Sequence, residues 1–390
     1  LFKLAFQHSQ LATSTRSDDE KRKDAVVIAQ NVLNAPRGSM PDWMHRTINF
    51  IQFISLKLFS DWKVFDLIPM DDSVSYEHLA GHLLADVSLI SCLSWVLISG
   101  GILNQVGEDR VAHTERSKSY LSDTPNELLL GMMQVLYEEQ ILTSLKLPEY
   151  FAQYGRREPA TRTHTPYAFA RGKPESEVWE LHEENPEHVK KFMKRMDISQ
   201  QVISLVGIYD LSWVEAKLSV DHDRPIFVDV GGSKGHAIKE ILEDNPILPV
   251  DRMILQDRAE VIEQLSALKQ PSLERFKLQA HDFHNEQPAK NALIYWIRRC
   301  LHNFGDDDSV KILSQLSDAM GSDSKLLVIE YVLRSPPSLM GVMADFGMME
   351  IGGKERTTGN WEALVARAGL KIEKIYGMNM KIQVIECVKV

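Results

Sequence analysis

Phe227-Val-Asp-Val-Gly-Gly-Ser-Lys-Gly-His236 decides how this chain is read. A short β-branched apolar run ends in glycines and opens into a helical pattern. Gly231, Gly232 and Gly235 permit a tight turn and let backbone approach a ligand closely. The helix beyond them offers unpaired N–H groups and the positive end of its dipole, where a carboxylate or phosphate fits. The spacing is GGxxG, not GxGxxG, so a dinucleotide pyrophosphate is less well supported. Taken alone, such a turn also serves plain packing in many α/β proteins.

Working outward, residues 226–230 are the first of several strand patterns, followed by 253–255, 292–296 and 325–329. Helical patterns lie between them at 236–243, 258–268 and 307–320. This alternation predicts an α/β fold, a doubly wound parallel sheet covered on both faces. Residues 361–368, 372–376 and 382–388 read as helix, strand, strand, the last two an antiparallel hairpin at the sheet edge.

Asp257 ends the pattern Met253-Ile-Leu-Gln-Asp257. An acid there accepts hydrogen bonds from both ribose hydroxyls of a nucleoside. The plainer alternative is an N-cap for the helix from Arg258 onward. Ala280-His-Asp282-Phe283 supplies an acid for an adenine amino group and a ring for its face. Ligands of open α/β sheets bind at the carboxyl ends of strands, so these elements together predict one nucleoside site.

The stretch from Ala25 to about Tyr120 reads as helical, with apolar residues at helical spacing over 43–67 and a second apolar helix over 87–98. Ser75 suits an N-cap, and Gly100-Gly101 a helix stop. Residues 102–110 and 111–114 look like two short strands around a turn at Gly107. Helix, helix, hairpin is a winged-helix pattern. Residues 87–98 contain no Lys or Arg, however, so that helix can neither contact phosphates nor read guanine edges. A packing or dimerisation module is the better expectation, giving a helical domain over 1–120 and the sheet domain over 121–390. The helical segment 121–224 frames a pocket. Within it, 155–174 reads as a loop, with Tyr150, Phe151, Tyr154, Tyr167, Phe169 and Trp179 clustered around it. The basic run at 188–195 reads as a solvated helix face.

The chain has 390 residues, 44% hydrophobic and 25% charged, which is ordinary globular composition and long enough for two domains. A net charge of −10 argues against a nucleic-acid partner. The three cysteines, Cys92, Cys300 and Cys387, form no CxxC pair, so neither a metal site nor a disulfide is expected. A reducing, cytoplasmic setting fits them. Residues 1–6 are too short for a signal-peptide core, and no run of 18 uncharged apolar residues occurs, so no membrane partner is expected.

Beyond these readings, the sequence resembles the fungal and plant-type small-molecule O-methyltransferases. The matching stretches are FVDVGGSKGH, MILQD, AHDF, YWIRRCLHNFGDDDSVKIL, LLVIEYVL, GGKERT and WEALVARAGL, in family order over 226–370. ILNQVGEDRVAHTERSKSYL resembles the family's winged-helix dimerisation domain. The resemblance implies a Rossmann-like domain binding S-adenosylmethionine, a small-molecule acceptor and a homodimer. It places Gly231, Gly232 and Gly235 at the methionine end of the cofactor, Asp257 at the ribose, and Asp282 with Phe283 at the adenine. Arg298 falls on a basic position near the adenine, and Phe304 on an aromatic position usually held by Trp. His302 falls on the general base, with Glu330 and Glu355 flanking it. Two departures stand out: Ser233 where Gly is common, and Asn303 where Asp usually follows the histidine. The implied reaction is O-methylation of an aromatic or polyketide-type hydroxyl. The alternative is a methyltransferase-like pericyclase or dehydratase of fungal natural-product assembly that transfers no methyl. Retention of His302 favours methylation. Met132, Met133, Phe169, Trp179, Met343, Phe346, Met348 and Met349 suggest a flat apolar acceptor without fixing its shape.

Overall fold

The computed structural model describes residues 41–122, 127–184, 207–218, 222–268, 273, 275–380 and 382–390. The helical reading over 25–40 and the basic run at 188–195 lie outside the described residues. The chain divides into two compact units, Leu1–Leu130 and Gly131–Val390.

In the first unit, helices Asp42–Asp61, Tyr76–Leu83 and Val87–Ser99 pack with a small antiparallel sheet of β1 (Ser73–Ser75), β2 (Leu103–Val106) and β3 (Arg110–His113), in the order β1-β3-β2. Ser75 caps its helix, Oγ accepting from the His78 N–H at 3.1 Å. The expected hairpin is present, joined by a third strand whose three residues are too few to show a pattern. Phe59, Phe65, Leu79, Ile90, Leu97 and Val111 form the core. No single helix among the described residues is long and apolar enough to cross a membrane.

The second unit carries a seven-stranded sheet in the order β11-β12-β8-β7-β4-β5-β6. Its strands are β4 (Phe227–Val230), β5 (Met253–Asp257), β6 (Lys277–Ala280), β7 (Ile294–Arg298), β8 (Lys325–Glu330), β11 (Leu370–Tyr376) and β12 (Gln383–Lys389). β6, β5, β4, β7 and β8 are parallel, and the hairpin β11–β12 adds the antiparallel edge. The chain runs outward from β4 through β5 to β6, then crosses back to β7. The sheet therefore reverses direction beside β4, and the crevice at that switch point is where such sheets bind ligands. Phe227, Leu255, Ile294 and Trp296 pack on one face with Ile238 and Ile241. Val228, Tyr295 and Ile297 pack on the other with Ile312, Leu316 and Trp361. Burial on both faces is why these strands read as continuous apolar runs, each large side chain contributing about 1.5–3 kcal/mol.

Three features depart from the sequence reading. β6 is a half-exposed edge strand, Lys-Leu-Gln-Ala, without the apolar run that marks its neighbours. Leu339–Glu350 is a helix rich in Met, which the periodicity did not single out. The loop over 155–174 contains a helical turn, Pro166–Ala170, capped by Thr165 Oγ accepting from the Ala168 N–H, with Pro166 in the first position.

Candidate active site

The glycine turn follows β4 at the switch point. Gly231, Ser233 and Gly235 have φ of 70°, 48° and 71°. Left-handed backbone at Ser233 accounts for the glycine usual there, and a side chain in that region is strained by roughly 1–2 kcal/mol. The Gly231 and Gly232 N–H groups both donate to the Gln256 carbonyl, at 2.9 and 3.0 Å. The Ser233 N–H donates to Asp257 Oδ2 and the Arg258 N–H to Asp257 Oδ1, each at 2.8 Å. Asp257 thus ties the turn to the end of β5 and organises the start of the next helix. Each of its oxygens keeps acceptor capacity for a second donor. Burial raises its carboxyl, opposed by those two N–H groups.

A β-carbon on Gly231 would stand 2.8 Å from Cys300 Sγ and 3.5 Å from the Phe283 ring. One on Gly232 would stand 2.6 Å from Asp229 Oδ2. Asp229 is a residue the sequence reading missed. It lies in β4, fully enclosed, and its Oδ2 has no hydrogen-bond partner among the described residues. Burial pushes its carboxyl up to about 7, despite the nearby Arg298. Its place among Phe, Val and Val in a strand hides it, because period-2 alternation predicts a core position there.

Phe283 and Phe304 meet edge to face at 5.8 Å, and His284 joins Phe304 at 5.1 Å. Asp282 is exposed, and its Oδ1 accepts from the His284 N–H at 3.0 Å. Arg298 ends β7, where burial lowers its guanidinium and the charges of Glu240 and Asp229 oppose that shift.

His302 sits in a tight turn, Leu301–Asn303, just past the end of β7. Glu330 ends β8. Two short strands, β9 (Val332–Leu333) and β10 (Arg356–Thr357), then pair in parallel, which brings Glu355 alongside Glu330. His302, Glu330 and Glu355 are all buried. His302 Nδ1 lies 3.0 Å from Glu355 Oε1 and 3.8 Å from Glu330 Oε2. A carboxylate only accepts, so the contact with Glu355 places the proton on Nδ1 and leaves Nε2 as the basic nitrogen. Glu330 Oε1 accepts instead from the Leu301 and His302 N–H groups, at 3.0 and 3.3 Å. Burial raises the Glu330 carboxyl, with the His302 ring opposing.

The backbone around His302 is held by residues that sequence reasoning left unassigned. Arg356 is fully buried, and its guanidinium donates to the carbonyls of Leu301 at 3.1 Å and Phe304 at 2.9 Å, and to Asp306 at 2.9 Å. The Lys354 N–H donates to the His302 carbonyl at 2.9 Å. A β-carbon on Gly353 would collide with that same carbonyl, and one on Gly352 with the Thr161 carbonyl. The glycine pair before Lys354 marks this close approach, and is its only signal in the sequence.

Beside this centre lies a pocket of about 580 Å3 whose walls include Phe151, Val342, Phe346 and Met349. Asp345 also lines it, and Asp345 Oδ1 accepts from the Glu355 N–H at 3.0 Å. Of the aromatics expected around a pocket, Phe151 and Phe346 line this one. Tyr150, Tyr154 and Phe169 pack on one another, and the Met132 side chain lies outside the described residues.

A mixed sheet of this order, a glycine turn at its switch point and a two-residue ladder that closes two acids on a histidine define a Rossmann-like methyltransferase architecture. The O-methyltransferase domain family matches residues 153–371, and the chain belongs to that family. It is 35% identical to methyltransferase cfoD of Aspergillus candidus, over 99% of this chain and 97% of that one. It is 32% identical to O-methyltransferase kntB of Aspergillus niger, over 83% of this chain and 77% of that one. Among solved structures, OxaC superposes with a TM-score of 0.83 at 24% identity, covering 99% of this chain and 97% of OxaC. LepI in complex with S-adenosylmethionine superposes with a TM-score of 0.77 at 22% identity, covering 100% and 98%.

Proposed function

We propose that this chain is an S-adenosylmethionine-dependent O-methyltransferase that methylates a hydroxyl of an aromatic or polyketide-type natural product, with His302 as general base. Family membership supports the class of reaction. The single observation that carries the assignment is the buried His302–Glu355 contact, which leaves Nε2 with no protein partner among the described residues.

The residues present fit the cofactor. The turn at Gly231 faces the Phe283 ring, Asp257 closes the end of β5, and Asp229 holds an unpartnered buried oxygen beneath Gly232. Asp257 would hold the ribose, Phe283 and Phe304 would cover the adenine, and the glycine turn would take the methionine end. When bound, S-adenosylmethionine supplies a methyl group already activated on a sulfonium. The protein therefore has to align and deprotonate the acceptor. A phenol has a pKa of about 10, so a positioned base assists attack near neutral pH. His302 Nε2 takes the hydroxyl proton, and Glu355 stabilises the imidazolium through Nδ1. Glu330 fixes the main chain of the turn that carries the ring. The chain works as a homodimer, as sedimentation velocity on the pure protein would show.

The test is transfer of label from methyl-labelled cofactor to a panel of hydroxylated aromatics, by the native chain and by His302→Ala. Label should reach product with the native chain alone. Undiminished methylation by His302→Ala would refute the base role.

One observation keeps a second reading in view. The fold matches LepI over its full length, and another structure of this fold bears the description of a pericyclic reaction enzyme. A protonated His302 can donate to a substrate carbonyl in such a reaction. Product formed from its precursor with no incorporated label would favour that reading over methyl transfer.

A further inference from the structure

We propose that the acceptor carries an acidic group, a carboxylate or an acidic enol, on an apolar body, and that Arg156 and Arg157 bind it. This deepens the methyltransferase reading and rests on it.

The pocket beside the His302 centre carries charge as well as apolar surface. Its walls are apolar, but four charged residues also line it: Arg156, Arg157, Glu158 and Asp345. Both acids are engaged. Glu158 pairs with Lys354 Nζ at 3.0 Å, and Asp345 accepts from the Glu355 N–H. Neither arginine has a carboxylate within salt-bridge distance among the described residues. Other arginines nearby are used otherwise: Arg162 pairs with Glu177, Arg171 lies over the Tyr167 ring, and Arg356 is locked beneath His302. Two adjacent, exposed guanidinium groups thus line the pocket with no carboxylate partner among the described residues. An Arg fork matches a planar pair of oxygens, and a charge-assisted hydrogen bond is about twice as strong as a neutral one.

The loop that carries them is held at both ends. Gly155, at φ 83°, ends the helix Leu147–Tyr154, and the Arg157 N–H donates to its carbonyl at 3.0 Å. Further along, the Ala160 carbonyl lies where a β-carbon on Gly305 would be 2.5 Å away. The loop therefore holds Arg156 and Arg157 at the pocket wall, and Asp345 in the same wall links the pocket to Glu355, the partner of His302. An acceptor that offers its hydroxyl to His302 from this pocket would bring an acidic group on its body to the arginines. Against a net charge of −10, two adjacent arginines give the pocket a local positive charge.

The test uses 6-hydroxy-2-naphthoate and its methyl ester, which share the naphthol body and differ in charge and by one methyl group. Binding to the full chain is read by naphthol fluorescence, so it needs no methyl transfer. The acid should bind about tenfold more tightly than the ester at low salt, and the advantage should fade as salt rises. The double variant Arg156→Ala, Arg157→Ala should weaken the acid about tenfold and leave the ester within twofold, with unchanged circular dichroism. Equal affinities for acid and ester, no binding of either up to its solubility limit, or equal weakening of both in the variant would overturn the proposal. Separately, absence of label transfer to every acceptor would sink the methyltransferase reading while leaving this affinity contrast to stand or fall by itself.

Discussion

His302 Nδ1 and Glu355 Oε1 lie 3.0 Å apart, while Glu330 stands 3.8 Å from the same nitrogen with its other oxygen committed to backbone N–H groups. The two buried acids therefore have different jobs, although the sequence presents them alike. Glu355→Gln removes the charge that stabilises the imidazolium and should lower kcat by about 10²–10⁴-fold with KM little changed. Glu330→Gln keeps an oxygen for the two N–H groups, so its loss in kcat should be at least tenfold smaller. Steady-state kinetics with labelled cofactor decide the matter, and equal losses would show that the geometry has been misassigned.

Arg356 acts on the same centre from beneath. Its guanidinium reaches two carbonyls that bracket His302 and the Asp306 carboxylate in one fork, and it lies 5.3 Å over the Trp361 ring. A lysine carries the charge but not the fork. Arg356→Lys should lower kcat by about tenfold or more and cost about 1–3 kcal/mol in urea unfolding, because buried acceptors are left unsatisfied. Affinity for S-adenosylhomocysteine should fall less than kcat, since Arg356 touches only Phe304 among the residues proposed to hold the cofactor. A variant with native kcat would show that the turn holds its shape without Arg356.

Asp229 gives the stability a definite pH dependence. Its carboxyl is pushed up to about 7 chiefly by burial, with Arg298 opposing and Asp257 adding to the rise. In the unfolded chain it titrates near 4, at about 3.9. Between those values the folded chain holds a proton that the unfolded chain has lost. Its contribution therefore falls as pH rises from about 4 to about 7 and levels off above. Asp229→Asn should flatten this fall, which is of the order of a few kcal/mol, and raise the melting temperature at pH 8 relative to pH 5. Parallel pH profiles for native chain and variant would contradict it.

How far the sequence spoke for itself depended on what each residue's neighbours in the chain reveal. Four of the five parallel strands were legible because each is a short apolar run, and the glycine turn and Asp257 were legible because they sit on strand ends. Asp229 was hidden, because an acid within an apolar strand looks like an exception and not a site. β6 was hidden because an edge strand need not be apolar, and Arg356 because its partners lie about fifty residues upstream. The division of labour between Glu330 and Glu355 depends on the β9–β10 pairing, a contact between two dipeptides that no local pattern announces.

That pairing leads to a last test, on the glycines that let the two loops meet. Gly353 has no side chain because the His302 carbonyl occupies the space, with Asn303 backbone atoms at 2.7 and 2.9 Å from where a β-carbon would stand. Backbone cannot yield as a flexible side chain does, so Gly353→Ala must push the His302 turn away from Glu355. Gly359 supplies the control. It lies in the helix Thr358–Arg367, and nothing stands within 4 Å of its β-carbon position. Gly359→Ala should be neutral or stabilise by about 0.5–1 kcal/mol through helix propensity, with kcat intact. Gly353→Ala should lower kcat by at least tenfold and destabilise by about 1–3 kcal/mol, the usual range for overpacking. Affinity for S-adenosylhomocysteine, measured by calorimetry, should stay within a few fold of native in both. Should Gly353→Ala instead lose cofactor affinity and keep its turnover at saturation, the loop at Gly353 would belong to the cofactor site and not to the placement of the base.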